Sequence, residues 1–204
     1  MHVTLSEAAE PVHGRCRNHR VFLHDASDPQ RSELELFVKR AFESRHAARI
    51  CSFMPSLLAL RNDQGELCSV AGFRSAADEP LFLERYLDEP IEQAIATATQ
   101  REVSRAQIVE VGNLAGMNCR SAMRLVLALP RMLLDRDQRW IVFTATDTVR
   151  QLLAAYHAPL IDLAPAVGSR VQGLPDDWGR YYQTNPRIMV GYLRDGLQLR
   201  RHEP

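Results

Sequence analysis

Lysine is all but missing from this chain: of its 25 basic residues only Lys39 is one, and it falls in an amphipathic helical stretch. Chemistry that needs an amine nucleophile or a Schiff base would rest on that side chain alone. A surplus of either charge is missing too. The 25 basic residues meet 25 acidic ones, which excludes the broad basic surplus that neutralises nucleic-acid phosphates. The four cysteines, Cys16, Cys51, Cys68 and Cys119, stand far apart, and the first twenty residues hold no apolar core before a small-residue cleavage site. We therefore expect reduced thiols and no disulfide framework. No run reaches the roughly eighteen apolar residues of a membrane span, and the expected address is the cytoplasm. GxxxxGK[ST], GxSxG and HExxH are all absent, and neither His46 nor His157 has a nucleophile at a fixed offset. His13, Cys16 and His19 in HGRCRNH are metal-capable but lack a fourth ligand. They read as a polar terminus, and no metal is expected.

What is present is the composition of an ordinary globular domain, 46% hydrophobic and 25% charged in 204 residues. We read residues 1–19 as a flexible tail and 20–204 as one domain. Arg20–His24 alternates as a short strand, and Asp25–Asp28 supply turn and cap residues. A helix over Gln30–Arg45 would bury Leu34, Phe37, Val38, Ala41 and Phe42. Leu57–Arg61 and Leu67–Arg74 flank Asn62–Gly65 as a β-hairpin, with Gly65 at the positive φ of the turn. Two short helical pieces broken at Pro90 follow. Ile108, Val109 and Val111 form a buried strand that stops at Gly112, and helical spacing runs from Arg120 to Asp135, interrupted or kinked at Pro130. Trp140–Phe143 is the next strand, and Thr146 or Asp147 caps a helix ending near Tyr156. APLIDLAP is a short strand, WGRYYQTNP an aromatic connector and RIMVGYLRDG a closing strand. This order predicts an α/β fold, a mixed sheet with helices on its faces.

In open α/β sheets ligands gather beyond the carboxyl ends of strands, which points at GNLAGMNCRS, residues 112–121. Gly112 and Gly116 permit close backbone approach, Asn113 offers amide donors and Arg120 suits a phosphate at a helix start. An ordinary strand-to-helix loop would carry the same residues. Glu110 is a lone carboxylate in an apolar strand. If buried, its pKa rises toward that of a general base; on a partnered face it pairs with an arginine such as Arg74 or Arg105. Arg74 is either a solvated strand end or an anion clamp. Glu84, Arg85 and Tyr86 on one segment, and Trp178, Tyr181 and Tyr182 on another, are either core and loop anchors or site walls.

The segments SFMPSLLALRNDQGELCSVAGFRSA, LFLERYLDEPIE, RAQIVEVGNLA, WIVFTAT and WGRYY, in this order, resemble the thermostable hemolysin family of bacterial proteins from Phe53 to Gly191. That family is similar in fold to the GNAT acyltransferases and to the autoinducer and N-acyl amino acid synthases. The resemblance implies a GNAT-like, mostly antiparallel mixed sheet, splayed at its centre, with helices on both faces and the donor's pantetheine arm between the fourth and fifth strands. It implies an N-acyltransferase that moves a fatty acyl group from an acyl carrier protein or coenzyme A thioester to a small amine, with no tightly bound cofactor. Where GNAT enzymes carry Q/R-x-x-G-x-G/A, this chain has GNLAGMNCRS without the closely spaced second glycine, so a carrier protein fits as well as coenzyme A. Glu110 falls where autoinducer synthases carry a strand glutamate, and Asn113 stands in place of their arginine. Tyr156 corresponds to the GNAT general acid. The implied donor site is Val111, Gly112, Leu114, Ala115, Gly116, Arg120, Ser121, Thr144 and Thr146, with backbone N–H groups near Gly112–Leu114 on the carbonyl oxygen. Arg74, Glu84 and Tyr182 would recognise the acceptor. Taken literally, the family name suggests instead a membrane-damaging protein, and an inactive GNAT-fold binding module is a third reading.

Overall fold

Apolar runs buried on both faces form the inner strands of one sheet, in a computed structural model that describes residues 19–174 and 176–198. The strands are β1 (His19–His24), β2 (Ser56–Asn62), β3 (Leu67–Ser75), β4 (Ile108–Gly116), β5 (Trp140–Ala145), β6 (Leu160–Pro165) and β7 (Arg187–Tyr192). They pair in the order β1-β2-β3-β4-β5-β7-β6. The helices are α1 (Arg31–His46), α2 (Ile91–Thr99), α3 (Cys119–Leu134), α4 (Asp147–Ala155) and the short α5 (Leu193–Gly196), with a 3₁₀ turn at Phe82–Tyr86. The hairpin and the helical pieces on either side of Pro90 stand as the sequence predicts, whereas the closing strand ends at Tyr192 and its expected last four residues, Leu193–Gly196, form α5. The tail, with His13 and Cys16, lies outside the described residues up to 18, and His19 already belongs to β1.

Among the described residues every neighbouring pair is antiparallel except β4 and β5, which run parallel. Their pairing ends at Val111 and Phe143. Beyond it β4 follows β3 to Gly116 and β5 follows β7 to Ala145, so the sheet splays at its centre. Successive side chains of a strand face opposite sides. Leu34 and Val38 of α1 pack with Leu57, Ala59, Val70 and Ala115, whereas Leu125, Leu129 and Leu133 of α3 pack with Leu58, Leu60, Ala71 and Val109. Helices therefore cover both faces. On the α1 face, Leu83, Ile91 and Ile95 close over Ile108, Trp140, Val142 and Val190; each such buried aliphatic side chain contributes about 1.5–3 kcal/mol. On the other face, Leu153 joins α4 to Met123 and Leu127 of α3.

The bounds of β4 and α3 also differ from the sequence reading. Strand β4 does not stop at Gly112 but runs to Gly116, because Asn113 is inserted as an extra residue between the pairs Gly72–Gly112 and Val70–Ala115. Its φ of 50° is left-handed, a conformation that asparagine tolerates better than most residues, and the resulting bulge keeps Ala115 on the core side. Helix α3 begins at Cys119 and passes through Pro130 as one helix.

Candidate functional site

Glu110 sits on the α1 face, one residue before β4 and β5 part, and is 3% exposed. Its Oε2 accepts from the Phe82 N–H at 2.8 Å and its Oε1 from the Leu83 N–H at 3.0 Å. Arg74, its register partner on β3, places Nε 3.3 Å from Oε2 and Nη1 3.4 Å from Glu79. Burial pushes the Glu110 carboxyl above its ordinary range, against the opposing pull of Arg74 and the two N–H groups. Both alternatives read from the sequence are thus realised together: the carboxylate is buried, and its arginine is Arg74. The two backbone N–H groups, with the Arg74 guanidinium beside Oε2 as an ion pair, leave lone-pair capacity on Oε1, since each carboxylate oxygen offers two acceptor positions.

The segment between α1 and β2 roofs this niche. Met54 donates its N–H to Asn113 Oδ1 at 2.8 Å, and its carbonyl accepts from Arg31 Nη2 at 2.6 Å. Asp176 Oδ1 accepts the N–H groups of Cys51 and Ser52, and Arg49 bridges Asp177. The aromatic connector completes the wall. Trp178, Tyr181 and Tyr182 pack on Phe42, Phe82 and Tyr86, and the hydroxyls of Tyr86 and Tyr182 lie 2.6 Å apart. Burial raises the Tyr86 phenol, which also feels the Glu110 charge, so its hydroxyl stays protonated.

The residues expected at the donor fall on the two diverging strands and at the starts of α3 and α4. Val111, Gly112, Leu114, Ala115 and Gly116 belong to the β4 side, Leu114 facing the α3 core and Ala115 the α1 core. Thr144 lies on the departing end of β5, and Thr146 caps α4 by accepting from the Val149 N–H. Only Met117 and Asn118 separate β4 from α3, so the expected loop is shorter than 112–121. Asn118 Oδ1 accepts the Ser121 N–H at 2.9 Å and Ser121 Oγ returns to the Asn118 carbonyl, which leaves the Cys119 and Arg120 N–H groups at the helix start. Arg120 is exposed. Gly116 serves close packing: a β-carbon there would stand 3.0 Å from Ala122 Cβ and 3.1 Å from the Asn118 carbonyl.

Three predicted residues are placed elsewhere or otherwise engaged. Glu84 accepts from Arg105 at 2.6 and 2.8 Å and from the N–H groups of Leu81 and Ile91; the Arg105 guanidinium holds its carboxyl down at about 2. It fastens the turn to α2 and offers nothing to an acceptor. Tyr156 follows the last residue of α4 among Phe143, Leu152 and Leu160. Nine helical residues carry it about 13 Å from the splay end of that helix. Asn113 is at the splay, but its amide oxygen is taken by Met54. The sequence reading missed Met54 and Asp176. Glycines inside apolar strands, Gly72 and Gly112, were the available signal for Met54; nothing local marked Asp176.

The chain matches the thermostable hemolysin family over residues 24–197. It belongs to that family. No curated protein sequence matches it significantly. Among solved structures, it resembles FeeM, an N-acyl amino acid synthase from uncultured soil microbes, at 11% identity and TM-score 0.59, over 87% of this chain and 93% of that one. It resembles the AHL synthase LasI at 13% identity and TM-score 0.58, over 86% and 90% of the two chains. A GCN5-related N-acetyltransferase from Kribbella flavida aligns at 10% identity and TM-score 0.51, over 84% and 97%. The fold is GNAT-like.

Proposed function

We propose that this member of the thermostable hemolysin family is an N-acyltransferase that moves a fatty acyl group from a carrier-protein or coenzyme A thioester to a small amine. The observation that carries the reading is Glu110, a carboxylate buried at the root of the β4–β5 splay whose Oε1 takes one N–H and keeps a lone pair for a proton. The pantetheine arm lies between Gly112–Gly116 and Thr144–Thr146, where β4 has lost β5 as a partner. The acceptor nitrogen attacks the thioester carbon, a C–N bond forms, and the carbonyl oxygen takes charge against the β4 backbone N–H groups near Gly112–Leu114. Glu110, directly or through a water, takes the amine proton. The C–S bond then breaks, and that proton leaves with the thiol. Arg74 positions Glu110, and the Tyr86–Tyr182 hydroxyl pair faces the acceptor. The start of α3 suits the single phosphate of a carrier-bound phosphopantetheine, because the Ser121 N–H is already spent on Asn118.

The test is thiol release and product mass with long-chain acyl carrier protein and acyl-coenzyme A, against a panel of amino acids and polyamines. Acceptor-dependent release that Glu110→Gln abolishes supports the reading and identifies the donor. Silence with both donors, together with liposome lysis by the protein alone, overturns it in favour of direct membrane damage. Among the described residues no helix is long and apolar enough to cross a membrane.

A further inference from the structure

Two glycines face each other on β3 and β4, Gly72 and Gly112, next along the strands from the Arg74–Glu110 pair and on the same side of the sheet. Missing β-carbons at both positions cut a slot across the strands, and Met54 lies along it. A β-carbon at Gly72 would stand 2.6 Å from Met54 Cβ and 2.8 Å from its Cγ; one at Gly112 would stand 2.6 Å from Met54 Cε. The methionine thus spans the slot lengthwise, its free methyl end toward the splay. Its backbone is clamped by Asn113 and Arg31, while its side chain is tied only by Arg74 Nε on Sδ at 2.9 Å. An unbranched, flexible thioether has the shape of a short alkyl chain and repacks readily. At its far end the slot abuts Leu57, which packs with Val70 and Ala115 in the same buried apolar cluster as Met54.

From this geometry we infer that the Gly72–Gly112 slot is the subsite for the acyl chain, and that Met54 is its movable filler and the determinant of chain length. The inference rests on the acyltransferase reading. A chain delivered through the splay crosses β4 at Gly112 and β3 at Gly72, one strand spacing of about 4.8 Å apart, and displaces the Met54 side chain as it goes.

The experiment compares acyl thioesters from butyryl to hexadecanoyl in the wild type, Met54→Ala, Met54→Leu and Gly112→Ala, with thermal melting as the control for folding. Gly112→Ala is chosen over Gly72→Ala because it meets only the free end of Met54, whereas Gly72→Ala meets the fixed Met54 Cβ and Leu57. Met54→Ala is expected to raise the long-to-short ratio of kcat/KM about tenfold or more, Gly112→Ala to lower it comparably, and Met54→Leu to restore the wild-type profile. Wild-type turnover with unchanged ratios in all variants overturns the slot and leaves the acyltransferase standing. If the wild type turns over no donor, the ¹³C-methyl signal of Met54 is followed during titration with non-hydrolysable acyl thioethers. A shift with long chains only supports the slot, and no shift at any length overturns it.

Discussion

Two carboxylates fasten the same 3₁₀ turn, Glu84 from within it and Glu110 from β4, and end with opposite properties. Glu84 takes the Leu81 and Ile91 N–H groups and a two-point contact from Arg105, which is itself held by Glu92 and the Ala76 carbonyl. Glu110 takes the Phe82 and Leu83 N–H groups and a single longer contact from Arg74. The first carboxyl is held down at about 2 by its arginine, and the second is pushed up by burial. The contrast teaches that the quality of the cation contact, weighed against desolvation, decides which acid is a fastener and which is poised for protons.

The largest effect that would break this comparison is on turnover. Glu110→Gln removes the proton acceptor, and acceptor-dependent thiol release should fall by about a hundredfold to ten-thousandfold. A glutamine oxygen accepts only one of the two N–H groups well, so stability should also drop by about 1–3 kcal/mol. Stopped-flow thiol release and urea unfolding separate the two. Retained activity would move Glu110 into the same class as Glu84.

The matching change on the other acid acts on stability alone. Glu84→Gln loses the two-point contact with Arg105 and should cost about 1–3 kcal/mol, a melting shift of about 2–4 °C per kcal/mol for a chain of this size. Because Arg105 keeps Glu92 and Ala76, kcat/KM should stay within about twofold. A large loss of activity without loss of stability would place Glu84 in the acceptor site.

Acid titration sharpens the contrast by sign. Glu84 falls from its ordinary 4.5 to about 2 on folding, so its contribution is present above pH 4.5 and is lost as the pH falls from there to about 2. Glu110 is raised. The folded chain then binds its proton more readily than the unfolded chain does, and this site lowers stability as the pH rises from 4.5 through the raised value. Urea unfolding across pH should show the Glu84→Gln deficit shrinking on acidification below 4.5, and the Glu110→Gln deficit shrinking as the pH rises above it.

Much of this was legible in the sequence, and the parts that were not share a cause. The hairpin at Gly65, the break at Pro90 and the cap at Thr146 are written in local chemistry. Glu110 announced itself as a charge in an apolar strand. Arg74 was among its expected partners, but the Phe82 and Leu83 N–H groups were not, because they belong to backbone 28 and 27 residues away and backbone donors carry no side-chain signature. The bulge at Asn113 escaped for the same reason: the strand resumes only because β3 is there to pair with Ala115 and Gly116. Met54 precedes Pro55 in a segment without period, and only the glycines it covers pointed to it.

The smallest expected effect concerns the residue that resemblance, not geometry, had favoured. The resemblance to GNAT enzymes implies proton donation by Tyr156, at the end of the helix after the fifth strand. Here α4 starts at the splay with Thr146 and Asp147 and runs away from it, so its last turn delivers Tyr156 to an apolar cluster with Leu153 and Phe143. Tyr156→Phe deletes a hydroxyl and keeps the ring, and kcat should change by less than about twofold, well under the hundredfold or more that removal of a working acid costs. Tyr86→Phe provides the contrast, because its hydroxyl pairs with Tyr182 beside Glu110. If Tyr156→Phe proved the more damaging of the two, α4 would have to turn toward the splay during turnover, and the α1 face would lose its claim to the acceptor.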